Sequence, residues 1–216
     1  MGTTILMSGP IRPSEEAVLS VVASIRRQFP ESRIVLSTWT ESPRLREAVD
    51  VFQATPEPTD AEIRAVVRTQ TVQHRQLSLP DTTPGGVLST YKMIYGVQLV
   101  CSLAEPFLSA GDRVLRIRTD SMLELDPEYL ASILASPPAY LAKKGDGFDW
   151  VAFTTFGHLK QTWCFRDIQD FNRQLGLSWN PENLIARRVP VPVTFLDSTR
   201  VDAYILRENG RKHYYP

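Results

Sequence analysis

The chain carries two cysteines, three histidines, no excess of either charge and no long apolar run. Each scarcity excludes something. Cys101 and Cys164 stand far apart in sequence and match no metal-ligand spacing, so neither a zinc module nor a disulfide framework is written here. Both are expected as reduced thiols, with Cys101 a small core residue of an apolar helix. Lys and Arg number 24, Asp and Glu 24, and the net charge is zero, which argues against a general nucleic-acid binder with its usual basic footprint. No apolar stretch approaches the roughly 20 residues of a membrane span. The opening Thr3-Thr4-Ile5-Leu6-Met7 lacks the length and basic flank of a signal peptide. A cytoplasmic protein without an integral membrane segment is expected, reaching a membrane surface only through a partner. Gly9-Pro10 is not followed by Gly-Lys-Ser/Thr, so the early glycine is no P-loop.

What is present is ordinary for a soluble globular chain: 216 residues, 43% hydrophobic and 22% charged. A chain of this size buries roughly 70% of its unfolded surface and needs no staples. Thr4 to Ser8 reads as a strand, broken by Gly9-Pro10 and Pro13. Ser14 can cap a helix through Arg27, with Glu15 and Glu16 at its positive end and Val18, Val21, Val22 and Ile25 at helical spacing. Arg33 to Thr38 is a second strand and Asp50 to Gln53 a third, joined by a loop. Strands linked through a helix favour a parallel sheet. Asp60 to Gln76 is helical in places, Pro80 to Gly86 is a loop, and Val87 to Ala104 is the strongest helix. Later, Asp149 to Phe153, Pro190 to Phe195 and Val201 to Leu206 read as strands and Arg166 to Leu175 as a helix, so the sheet gains antiparallel edges late. With no repeats or linkers, residues 1–216 read as one continuous α/β domain.

The densest signal is Val114 to Leu123, where apolar and charged residues alternate as in a half-buried strand that delivers Asp120, flanked by Thr119 and Ser121, to its end. Open α/β sheets bind ligands beyond the carboxyl ends of their strands. An acid there can hold a divalent metal or a ligand hydroxyl. The plain alternative is a turn residue bonded to its own backbone.

Five segments together resemble the WavE family of lipopolysaccharide-synthesis proteins, glycosyltransferases of GT-A type. They are Met7-Ser8-Gly9-Pro10-Ile11, Ile34 to Trp39, His74-Arg75-Gln76-Leu77-Ser78, Arg116 to Asp120, and Phe148-Asp149-Trp150 with Phe156-Gly157. The resemblance implies a GT-A-like, Rossmann-like mixed sheet, mainly parallel in the N-terminal half and flanked by helices. Residues 1–123 would form the nucleotide-sugar-binding half and 124–216 the acceptor-side half. It also implies a nucleotide-sugar donor, a saccharide or lipid-linked saccharide acceptor, and a part in building surface polysaccharide. A non-catalytic nucleotide- or carbohydrate-binding subunit and a sugar-nucleotide nucleotidyltransferase stay open as alternatives.

Each candidate residue has a chemical reason and a plainer role. Gly9 and Pro10 permit close backbone approach to a ligand, or only a tight turn. Thr38 and Trp39 leave the second strand at the same edge, where an indole packs on a base or sugar, or on the core. Arg75, beside Gln76, offers a planar fork for a diphosphate, with Arg118 and Lys92 as further charge, although Lys92 reads better as a surface group. His74 reads as structural. Many GT-A sites hold Mg²⁺ or Mn²⁺ between two acids in Asp-X-Asp, because hard cations take oxygen ligands. Here Arg118 stands in the first position and leaves Asp120 alone, so either Asp120 binds the metal with phosphate and water, or Arg118 and Arg75 partly replace it. His213 is a candidate further metal ligand. A base for the acceptor hydroxyl is expected at Asp149, beside Trp150. Glu182 is the alternate, read more plainly as an acid at a helix N-terminus.

Overall fold

Thr4–Ser8 forms β1 and is buried along its whole length, because both faces of the sheet around it are covered. The computed structural model describes residues 2–66, 86–136, 139–142, 151–167, 170–171, 181–207 and 212–214, with backbone alone at 66, 87, 181–183 and 213. Helix α1, Glu15–Gln28, is capped by Ser14, whose hydroxyl accepts the Ala17 N–H at 3.2 Å. Its Val18, Val21, Val22 and Ile25 are buried as their spacing requires. Strand β2 is Arg33–Thr38 and β3 is Val51–Ala54. The expected loop between them is a helix instead: α2, Pro43–Ala48, starts on Pro43 and is capped by Ser42, which accepts the Leu45 N–H at 3.1 Å. Six residues are too few for a 3.6-residue period to show. Asp50 stays out of β3 because its carboxylate turns back onto the Ile34 N–H at 2.7 Å.

Further along come α3 (Asp60–Val66), α4 (Val87–Ala104), β4 (Arg113–Arg118), β5 (Ser121–Leu125), α5 (Pro127–Ala135), β6 (Tyr140–Ala142) and β7 (Val151–Thr155). The last elements are α6 (Phe156–Trp163), α7 (Pro181–Ala186), β8 (Val193–Phe195), β9 (Val201–Leu206) and β10 (Lys212–His213). Residues 67–76 of the expected helical stretch and 80–85 of the expected loop lie outside the described residues; Gly86 caps α4. Of the expected helix Arg166 to Leu175, only 170–171 are described as helical. Pro190 and Pro192 have no N–H for a ladder, so the strand expected from Pro190 shortens to β8.

Among the described residues the strands form a seven-stranded sheet in the order β3-β2-β1-β4-β7-β6-β8 and a three-stranded sheet β10-β9-β5. Strands β1 to β4 run parallel, as the helix crossovers predict. Antiparallel pairing enters at β7, inside the sheet and not at its edge: β7 lies between β4 and β6, and β8 extends the sheet in parallel to β6. Ile5, Met7, Ile34, Leu36, Leu115 and Ile117 face one side and pack on α1. Leu6, Val35 and Val114 face the other, under α4 and α6.

The stretch from Val114 to Leu123 departs from its expected form in two ways. It is two strands, β4 and β5, belonging to different sheets and separated by a turn at Thr119-Asp120. It is also not half-buried: Arg116 is 1% exposed, its guanidinium 4.4 Å from the Trp163 ring. That indole donates to the Tyr140 hydroxyl at 3.1 Å, and burial pushes the Tyr140 pKa up to about 12. Alternation therefore marks a guanidinium stacked under α6, not a wet face. Phe156-Gly157, a segment of the resemblance, serves packing: the Gly157 N–H donates to Ala110 O at 2.8 Å, and a Cβ there would stand 3.0 Å from that oxygen.

The outer edge of β5 is finished by a side chain. Gln28 donates from Nε2 to Leu123 O at 2.7 Å and accepts the Leu125 N–H on Oε1 at 2.9 Å, taking the place of a neighbouring strand. Gln28→Ala should lower stability by about 1–3 kcal/mol in denaturant unfolding, since two backbone groups lose their partner. A loss below about 0.5 kcal/mol would mean that water satisfies this edge equally well.

Candidate active site at the sheet switch point

The order β3-β2-β1-β4 sends the chain outward from β1 in one direction through β2 and β3, then back to its other side as β4. Such a reversal opens a crevice beyond the carboxyl ends of the two central strands. Gly9 leaves β1 there with φ +137°, a conformation that side-chain-bearing residues rarely adopt. Its N–H donates to Ser37 O at 3.2 Å, and a Cβ would lie 2.9 Å from Thr119 Oγ1. That hydroxyl donates to Pro10 O at 2.6 Å. The loop after β1 is thus pressed onto the turn after β4, and three of the segments that carry the resemblance meet at one sheet edge.

Asp120 sits in that turn, only 1% exposed. Its Oδ2 accepts Arg12 Nε–H and Arg118 Nη2–H, both at 2.8 Å, and its Oδ1 accepts Arg118 Nε–H at 2.9 Å. Burial by itself would raise its pKa; Arg118 and Arg12, acting together, more than offset this and hold the carboxyl below its ordinary value. The Asp120 carbonyl accepts Leu206 N–H at 2.8 Å, which ties the turn to β9. Arg12 is 49% exposed and Arg118 17% at the side chain, so the acid lies behind and the guanidiniums in front. The sequence reading missed Arg12. Its signal was position: three residues past the left-handed glycine, on the loop leaving the central strand.

Other expected residues fall in several places. Trp39, half-buried at the exit of β2, lies parallel to Tyr95 with ring centroids 6.1 Å apart, and a Cβ on Gly96 would meet the indole at 3.4 Å. Tyr91 continues the stack at 6.0 Å. The Thr38 and Ser37 hydroxyls at the end of β2, and that of Ser121 beside Asp120, are buried without a hydrogen-bond partner among the described residues. Lys92 is no donor to this crevice; it pairs with Glu57 at 3.1 Å and Asp60 at 3.0 Å. His74, Arg75, Gln76, Asp149 and Trp150 lie outside the described residues, though β7 begins at Val151 opposite Ile117, at the crevice end of β4. Glu182 is the second residue of α7, where an acid suits the helix dipole. In backbone register His213 pairs with Ile205, which pairs with Ser121, so the late histidine is two strands, ~10 Å, from the turn.

A divalent cation fits this donor set poorly. Both Asp120 oxygens already accept guanidinium N–H groups, Arg118 occupies the position of a second acid, and among the described residues no group of three or more His, Cys, Asp or Glu could hold a metal. Hard cations require several oxygen ligands.

No protein-family model matches the chain, and no functionally described protein matches it in sequence. Among solved structures it is similar to the galactosyltransferase LgtC in complex with donor and acceptor sugar analogues, at 14% identity and TM-score 0.47, covering 91% of this chain and 74% of that one. It is also similar to mouse xyloside xylosyltransferase 1 in its apo form, at 10% identity and TM-score 0.43, covering 92% and 86%. Both are glycosyltransferases. Among the described residues no helix is long and apolar enough to cross a membrane.

The ion cluster has a pH signature. A carboxyl held below its unfolded pKa of about 3.9 adds stability above that value and loses it as pH falls through the folded pKa. At pH 7, Asp120→Asn should cost about 1–3 kcal/mol, less than a fully buried pair because both guanidiniums reach solvent. The gap in melting temperature between wild type and variant should close as pH is lowered below about 4. A gap independent of pH would show that shape, and not charge, is what the substitution removes.

Proposed function

We propose that the chain is a glycosyltransferase. It takes a sugar from a nucleotide-sugar donor and passes it to a saccharide or lipid-linked saccharide acceptor in the synthesis of surface polysaccharide or lipopolysaccharide. The carrying observation is a buried, ionised acid bearing two guanidiniums at the switch point of a mainly parallel sheet, the place where such sheets take nucleotides. Gly9 supports the reading because its left-handed backbone and missing Cβ let the loop after β1 close onto Thr119, which brings Arg12 to the crevice. Trp39 supplies an aromatic edge beside it. The WavE resemblance supplies the sugar chemistry and adds Arg75 and Gln76 as phosphate contacts. In this reading residues 1–123 hold the donor and 124–216 the acceptor.

The transfer breaks the bond between the sugar C1 and the terminal phosphate oxygen and forms one between C1 and an acceptor oxygen. The nucleotide leaves as an anion, and arginines near its phosphates stabilise the charge that develops there. The acceptor hydroxyl loses its proton to a base, which we assign to Asp149, with Trp150 shaping the acceptor subsite.

Titration calorimetry with nucleoside di- and monophosphate sugars, followed by hydrolysis assays, tests the reading. Saturable binding with slow donor hydrolysis is expected. Binding without turnover, even with acceptor extracts, identifies a non-catalytic subunit; release of pyrophosphate from a nucleoside triphosphate and a sugar phosphate identifies a nucleotidyltransferase. Absence of nucleotide binding refutes the reading. Asp149→Asn should lower turnover by about 10²–10⁴-fold with donor affinity unchanged. Near-normal turnover with an earlier melt would make Asp149 structural and pass the role to Glu182.

A further inference from the structure

The geometry points to a metal-free diphosphate site in which Arg12 and Arg118, aligned by Asp120, do what a divalent cation does between paired acids. This rests on the donor reading above and says how the donor's phosphates are held.

Charge decides the case first. Two acids without a cation would present a double negative charge to a polyanionic diphosphate. Here, among the described residues, the one acid Asp120 carries two guanidiniums, Arg12 and Arg118. Accessibility decides it second. Asp120 is 1% exposed and Arg12 49%, so an incoming phosphate meets guanidinium N–H groups while the carboxylate oxygens lie behind them. A metal ion would have to displace those N–H groups to reach the same oxygens. Directionality comes third. Arg12 gives Asp120 only its Nε–H, and its terminal nitrogens make no hydrogen bond to the described residues. The fork of a guanidinium matches phosphate oxygens in pairs.

Asp120 is therefore a positioning residue. Its bond to Arg12 reaches 108 positions back along the chain, so the loop after β1 and the turn after β4 present their cations together. Holding both side chains before the ligand arrives removes part of the ordering cost of binding. During transfer the same donors stabilise the leaving diphosphate as its charge grows.

The test is calorimetric titration of UDP, GDP, CDP and ADP, each against its own nucleoside, in excess Mg²⁺, in excess Mn²⁺ and in excess chelator. The diphosphate that binds should do so with the same affinity, within about twofold, in all three. Arg12→Ala should weaken it about 10- to 100-fold with the nucleoside unaffected, a selective loss that a fall in melting temperature from the lost Asp120 contact does not produce. Arg12→Lys should recover part of the loss. Asp120→Asn should likewise weaken the diphosphate selectively, a split that a general loss of stability does not produce. Affinity that collapses in chelator and returns with metal overturns the proposal and leaves the donor reading standing. Unchanged diphosphate affinity in Arg12→Ala also overturns it. If no nucleoside diphosphate binds under any condition, the proposal and the donor reading fall together.

Discussion

A carboxylate sealed from water stays charged only when opposite charge is supplied at hydrogen-bonding distance, and at Asp120 two guanidiniums supply it. Much at the crevice depends on this contact. It fixes the loop leaving β1 over the turn leaving β4, and the neighbouring Thr119–Pro10 bond seals the same seam. The Asp120 carbonyl accepts the Leu206 N–H one step beyond the β5–β9 register, so the three-stranded sheet is tied to the same residue. Burying the Asp120 carboxylate costs much of what its two guanidiniums return, so the cluster contributes little net stability, and apolar groups of equal volume would serve the fold as well. What the arrangement does supply is a fixed direction for two cations.

Topology explains why the cations meet there. Residues two apart on a strand share a face, and β4 carries Arg116 and Arg118 on the side toward α4. Arg116 is enclosed, stacked on Trp163 beneath α6. Arg118, two residues further, reaches the strand's end, where β1, β2 and β4 run out and the crevice begins. Ser8, Ser37 and Arg118 pair across β1, β2 and β4 in register, so polar character appears on three adjacent strands at the same level. The core ends and the site starts within one residue step.

Much of this was legible in the sequence. β1, α1, β2 and α4 follow from periodicity, the Ser14 cap and the proline breaks, because their burial is dictated locally. The parallel opening follows from the crossover rule. α2 escaped notice because one and a half turns show no period. The enclosed Arg116 escaped because alternation reports the pleat and not what covers each face. Arg12 was the larger miss: its partner lies far along the chain, and only sheet order brings the two together. The metal question was half legible, since Arg118 at the position of an acid is visible in the sequence, whereas occupation of both Asp120 oxygens is not. Among the described residues the expected donor-side group of Gly9, Pro10, Thr38, Trp39, Arg118 and Asp120 shares one sheet edge.

A nucleoside diphosphate held on Arg12 and Arg118 in the switch-point crevice is open to direct observation. A crystal structure of the chain grown in chelator with the best-binding nucleoside diphosphate measures this directly. Phosphate oxygens are expected within hydrogen-bonding distance of both guanidiniums, with Asp120 still bonded to its two arginines. A nucleotide seated elsewhere on the molecule, or arginines swung away from Asp120 with the phosphates out of their reach, would contradict it.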